Sequence, residues 1–221
     1  MKKIVILLSI IVLLVTGCRA YKLDDTNITK NIDILMSEKT NLYNVQYGGY
    51  KYYLPNGVSF INKEDYNALL SDKNGNIYYL YVDAISYYHK TKNDYEVNEA
   101  SHYSQYLNYR GRTGFIQIDE YEEENSYFIQ FVYNYVKIES YVPKKDLTDS
   151  INYMCYILRS VKFNDSVLES LIGENVLNYK EEDYTLFKAD SSKETYMEIV
   201  KRNENEDYSK FIEDEKIDLD Y

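Results

Sequence analysis

YFIQFVYNYVKIESYVPKKDLTDSINYMCYILRSVKF, residues 127–163, is the stretch on which the fold turns. Tyr127 to Tyr133 and Val136 to Val142 are dense in β-branched and aromatic residues, which fit a pleated, half-buried surface. Only Asn134-Tyr135 separates them, and a connection that short permits antiparallel pairing alone. Pro143 ends the second strand because it has no N–H to give to a ladder. From Asp146 to Arg159 the period changes to that of a helix: Leu147, Ile151, Met154, Cys155 and Leu158 form one apolar stripe. Asp146 and Asp149 suit the positive end of that helix and Arg159 the negative end. Val161-Lys162-Phe163 then resumes as a short strand. An antiparallel sheet flanked by helices, an α+β fold, is the expectation.

The strands also define faces. Tyr127, Ile129, Phe131 and Tyr133 share one side, Phe128, Gln130, Val132 and Asn134 the other. Both rows are apolar enough to be covered, so a sheet packed on both sides by helices and loops is expected. The alternative is an aromatic platform for a peptide, glycan or apolar ligand.

Upstream, Phe115 to Tyr121 alternates, with Glu122-Glu123-Glu124-Asn125 closing a hairpin onto Tyr127, and Arg110-Gly111-Arg112 marks the turn before it. Tyr66 to Leu70 and Ile77 to Tyr88 form another hairpin around Asp72-Lys73-Asn74-Gly75-Asn76, where Asn-Gly accepts positive φ. Asp72, Asn74, Asn76 and Asp83 also occupy oxygen-donor slots of a calcium loop. The sixth position, where such loops need glycine, is Ile77, so the stretch reads as a turn and no metal site. Lys90 to Ser104 is a polar excursion or a short surface helix. Tyr50 to Leu54 is β-rich, bounded by Gly48-Gly49 and the turn signal Pro55-Asn56-Gly57. Asn27 to Glu38 reads as a helix through Ile28, Ile32, Leu35 and Met36, capped by Thr26 or Asn27, although Ile32, Ile34 and Met36 also alternate as a strand would.

Downstream, Val167 to Ile172 forms a short helix ended by Gly173. Tyr184 to Lys188 and Tyr196 to Lys201 are strand candidates, and residues 203–221 form an acidic tail with little to bury.

Met1 to Cys18, MKKIVILLSIIVLLVTGC, joins a cationic head to an apolar run and a small-residue cleavage site, the pattern of a secretory signal. Val15-Thr16-Gly17-Cys18 resembles the lipobox of bacterial lipoprotein precursors, with Val15 where Leu is usual. The resemblance implies lipidation of Cys18, cleavage after Gly17 and attachment to the outer face of the cell membrane. The strand, strand, helix, short-strand order of 127–163, with Tyr52-Tyr53-Leu54-Pro55 and Leu158 to Phe163, is similar to the Mog1/PsbP-like fold. That likeness implies a fold and no activity. The expected organisation is a signal peptide over 1–17, a lipid-anchored tether with the first helix over 18–45, an α+β domain over 46–202 and the acidic tail.

The chain has 221 residues and a net charge of −11, which loss of Lys2 and Lys3 with the signal would make more negative. Such a surface repels phosphate backbones, so nucleic acid is not expected as a partner. Of the two cysteines, Cys18 is assigned to the anchor, which leaves Cys155 without an intramolecular partner. Cys155 lies on the apolar stripe and reads as a small core hydrophobe. No nucleophile-elbow, zincin, phosphate-loop or Cys-x-x-Cys motif is present. His89, just before the polar excursion, and His102, within it, read as solvated. No catalytic, metal or cofactor residues are therefore assigned. The 28 tyrosines, alongside no tryptophan, are the feature with most capacity for binding. The expected role is a membrane-anchored binding or scaffolding module without enzymatic activity. A small-ligand carrier with a tyrosine-lined cleft is the alternative, and a surface-polymer hydrolase the third reading.

Overall fold

A computed structural model describes residues 27–91, 95–121 and 125–173. The leader with Cys18, the strand candidates of 184–201 and the acidic tail lie outside these residues. In chain order the elements are α1 (Ile28–Ser37), β1 (Val45–Tyr47), β2 (Tyr50–Tyr52), β3 (Val58–Glu64), β4 (Asn67–Asp72), β5 (Ile77–Val82), α2 (Ala84–His89), β6 (Tyr103–Tyr109), β7 (Arg112–Tyr121), β8 (Ser126–Tyr133), β9 (Val136–Pro143), α3 (Leu147–Ser160), β10 (Lys162–Phe163) and α4 (Asp165–Gly173). A 3₁₀ turn, Lys144–Asp146, leads into α3. Seven strands make one sheet in the order β3-β4-β5-β9-β8-β7-β6, and β1-β2-β10 make a small second one. All the pairings are antiparallel. The α+β class read from the sequence is the class of the structure.

The hinge between β8 and β9 is a two-residue turn: Tyr133 pairs with Val136, and Asn134 and Tyr135 both take left-handed backbone, φ 52° and 64°. Helices α1 and α3 lie against one face. Tyr127, Ile129, Phe131, Tyr133, Ile138 and Val142 of the sheet are buried there with Ile32, Leu35 and Met36 of α1 and Ile151, Met154, Cys155 and Leu158 of α3. The apolar stripe of α3 is buried throughout. The helix placed with the tether in the sequence reading thus contributes to the domain core. Asn27 caps it, its side chain accepting from the amide of Lys30 at 2.9 Å.

The second face differs from the expectation of packing on both sides. Of its row, Phe128, Gln130 and Val132 are half-buried and only Asn134 is buried, and the face carries its own polar stripe. Gln130 Nε2 donates to Glu139 Oε1 at 2.8 Å, Lys137 Nζ lies 3.2 Å from the same oxygen, and Gln117 Nε2 donates to Asp119 Oδ2 at 2.8 Å. These side chains satisfy one another in the plane of the sheet, and toward β5 the face is closed over, with Glu139 and Tyr79 buried.

Three other expectations change. The strand read as Ile77 to Tyr88 stops at Val82, because Asp83 accepts from the amide of Ser86 at 2.8 Å and starts α2. The polar excursion ends in β6, and β3 was not anticipated. Both are edge strands of the large sheet. In β3 the register slips between Phe60 and Asn62, which spoils the alternation a sequence reading needs.

Candidate functional site

The half-buried face leads to a cleft at its β6–β7 end. The register sets Tyr106, Phe115, Val132 and Lys137 side by side across four strands. Phe115 and Val132 form the floor. Tyr95 lies flat on Phe115, ring centroids 3.8 Å apart and planes 1° from parallel. Its hydroxyl shares a hydrogen bond with Ser104 Oγ at 2.5 Å, which fixes the ring. Tyr106, 47 % exposed, stands beside this pair. Arg112, Thr113, Asn134 and Tyr135 close the other end, and the whole cleft holds about 370 Å³.

Two local features build that closed end. Arg110 and Gly111 take φ 56° and 75° between the paired Tyr109 and Arg112, which delivers Arg112 at the first position of β7. Tyr135 occupies left-handed backbone where glycine would be the unstrained residue. Its ring stands edge-on to Tyr87, 5.6 Å and 86°, while Tyr87 stacks on Phe163 at 3.8 Å. Burial and the hydrogen bond to Asp165 push the Tyr87 phenol up to about 12, against a smaller opposing effect of Arg112. Arg112 Nη1 donates to the Val161 carbonyl at 3.2 Å, and the guanidinium keeps further donors for the cleft.

The residues singled out from the sequence fall elsewhere. Cys155 is fully buried and burial raises its thiol pKa strongly, so it stays protonated and inert. His89 is exposed at the end of α2 and touches Tyr88. His102 is exposed, 3.8 Å from Glu120 Oε2 and against the ring of Tyr127. The two histidines thus meet different partners. In the Asn-Gly turn the carboxylate of Asp72 accepts from the amides of Asn74 and Asn76, from Asn76 Nδ2 and from the Tyr78 hydroxyl, 2.7–3.0 Å. The carboxylate is engaged in holding the turn. Among the described residues no group of three or more His, Cys, Asp or Glu is placed to hold a metal ion, and no helix is long and apolar enough to cross a membrane.

Sequence reasoning singled out the tyrosines as a class but not Tyr95, Tyr106, Arg112 or Tyr135. The available signals were Arg110-Gly111-Arg112 and the bulky Tyr135 in a hinge that favours glycine. No family model matches the chain, and comparison with curated proteins and with solved structures likewise finds no match.

Proposed function

We propose that this protein is a lipid-anchored extracytoplasmic binding module, held at the outer membrane face through Cys18, that takes its ligand in the Tyr95–Tyr106–Phe115 cleft. The observation that carries the reading is Tyr135: a ring kept at a strained left-handed position on the rim of a cleft is backbone strain spent where contact is made. Aromatic rings set beside Arg112, Thr113 and Asn134 suit a compact ligand that has both an apolar face and hydrogen-bonding groups. The volume lies near the lower end of the roughly 300–1,000 Å³ of small-molecule sites. This favours the carrier reading within the binding class over a broad docking face. Separate surroundings for His89 and His102 give a hydrolase no support. The acidic net charge argues against nucleic acid as the ligand. The Mog1/PsbP-like likeness rests on the order β8, β9, α3, β10 and lends no activity.

The anchor is tested by Cys18→Ala, which should shift the protein from the detergent to the aqueous phase and leave the precursor unprocessed; unchanged partitioning and size would remove the lipoprotein reading. The cleft is tested by native mass spectrometry of protein released gently from host membranes. A small molecule retained by the wild type and lost from Tyr106→Ala is the expected result. Tyr106 is an exposed edge-strand ring, so the variant should fold. Equal retention by the variant, or no retained molecule from any preparation, would count against the cleft.

A further inference from the structure

A second cleft, of about 170 Å³, is lined by Lys39, Arg110, Arg112, Arg159 and Lys162 together with Met36, Glu38, Tyr133 and short polar residues. Five of the chain's 25 basic side chains meet here in a molecule whose net charge is −11. Four separate parts of the fold supply them. Lys39 follows α1, Arg110 lies in the β6–β7 turn and Arg112 just after it, Arg159 lies in the last turn of α3 and Lys162 opens β10. Like charges brought together repel, least for Lys39 and Arg110, which are exposed to water, and most for the half-buried Arg112, Arg159 and Lys162.

Part of the compensation is internal. Arg159 Nη1 donates to Glu38 Oε2 and to the Leu35 carbonyl, both at 2.8 Å, and Arg110 Nη1 donates to the Ser37 carbonyl at 3.0 Å. These two arginines cap the C-terminal end of α1, whose dipole contributes about half a negative charge. Lys162 Nζ donates to Asn41 Oδ1 at 2.7 Å and Arg112 Nη1 to the Val161 carbonyl, both uncharged acceptors. Among the described residues Glu38 is the one carboxylate ion-paired with any of the five. The cleft therefore keeps a large positive excess. Nε of Arg159 is also buried without a hydrogen-bond partner. Arg110 and Arg112 both pull down the phenol pKa of Tyr133, which burial raises, so the positive field reaches the cleft wall.

We propose that this basic cleft binds a phosphate group, as free phosphate or as the head of a compact phosphomonoester. A dianion offsets the excess better than a single carboxylate, and guanidinium forks match phosphate oxygens in bidentate geometry. The small volume and the acidic remainder of the molecule select a small ligand over a polyanion. The inference does not depend on the aromatic cleft, with which this site shares Arg112.

The test is isothermal titration of the full-length protein with inorganic phosphate and, separately, glycerol 3-phosphate, at ionic strength held constant with potassium chloride. Saturable binding with one site is expected. Binding of both ligands assigns recognition to the phosphate itself, and binding of the ester alone assigns it to a monoester; each supports the site. Arg112→Gln should weaken binding at least tenfold. Lys39→Gln with Lys162→Gln, neither of them a buried position, should weaken it about three- to tenfold and guards against misfolding of the first variant. No saturable binding of either ligand, or undiminished affinity in the Lys39/Lys162 variant, would overturn the proposal.

Discussion

Gly114 has no room for a side chain. A Cβ there would lie 2.1 Å from the Val132 carbonyl oxygen and 2.7 Å from Tyr133 Cα, and backbone of the neighbouring strand cannot swing aside as a side chain can. Gly114→Ala should therefore push β7 from β8 and lower stability by about 2–4 kcal/mol, read as a fall in the urea midpoint. An unchanged midpoint would mean that the strands separate at no cost. Tyr78 makes a different kind of contact. Its buried hydroxyl donates to Asp72 Oδ2 at 2.7 Å and shares a hydrogen bond with Ser150 Oγ at 2.8 Å, tying the Asn-Gly turn to α3. Tyr78→Phe should cost about 1–2 kcal/mol, because Ser150 loses its partner away from water. Cys155, sealed among core residues, should resist thiol reagents in the native protein. Labelling faster than global unfolding would show that α3 opens locally.

At the scale of elements, the β8–β9 hairpin sets a strained turn against a ring contact. Tyr135→Gly relieves left-handed strain of roughly 1–2 kcal/mol. It also adds unfolded-state entropy of about 0.4–1 kcal/mol and removes an edge-on contact with Tyr87 of about 0.5–1.5 kcal/mol. These nearly cancel, so the urea midpoint should shift little while retention of the cleft ligand falls. A variant with intact retention would locate the role of Tyr135 in packing alone. The central hairpin and α3 were legible because burial on one side forces strict periods of two and 3.6 residues. Strands β3 and β6 were not, since an edge strand half in water has little apolar pattern to show. In β6 only Leu107 is fully buried.

Across the whole molecule, tyrosine does the work of a core aromatic and brings an ionisable group inside. Burial raises the phenol pKa of Tyr47, Tyr52, Tyr66, Tyr78, Tyr87, Tyr103, Tyr109 and Tyr133 above the ordinary 10.0, for Tyr87 to about 12. In the unfolded chain these phenols lose their protons near pH 10, while the folded protein retains them. Above that pH the folded state binds more protons, so stability falls as pH rises. The stabilisation is complete below pH 10 and declines from there through each folded value. Unfolding followed by far-UV circular dichroism should begin above pH 10 and coincide with a cooperative rise in tyrosinate absorbance. Ionisation of every phenol near pH 10 with the circular dichroism unchanged would contradict this.

The sequence by itself determined the α+β class, the β8–β9–α3–β10 succession and the buried fate of Cys155, because each follows from the local period of apolar residues or from residues close in the chain. It also supplies Val15-Thr16-Gly17-Cys18, whose resemblance to a lipobox is what the proposed anchor rests on. Only the tertiary structure decided which sheet face the helices take, and only it gathered Tyr95, Phe115 and Tyr135 into one cleft and Lys39, Arg112, Arg159 and Lys162 into another. Those groupings join positions far apart in the chain through strand register and helix docking, and no local pattern encodes them.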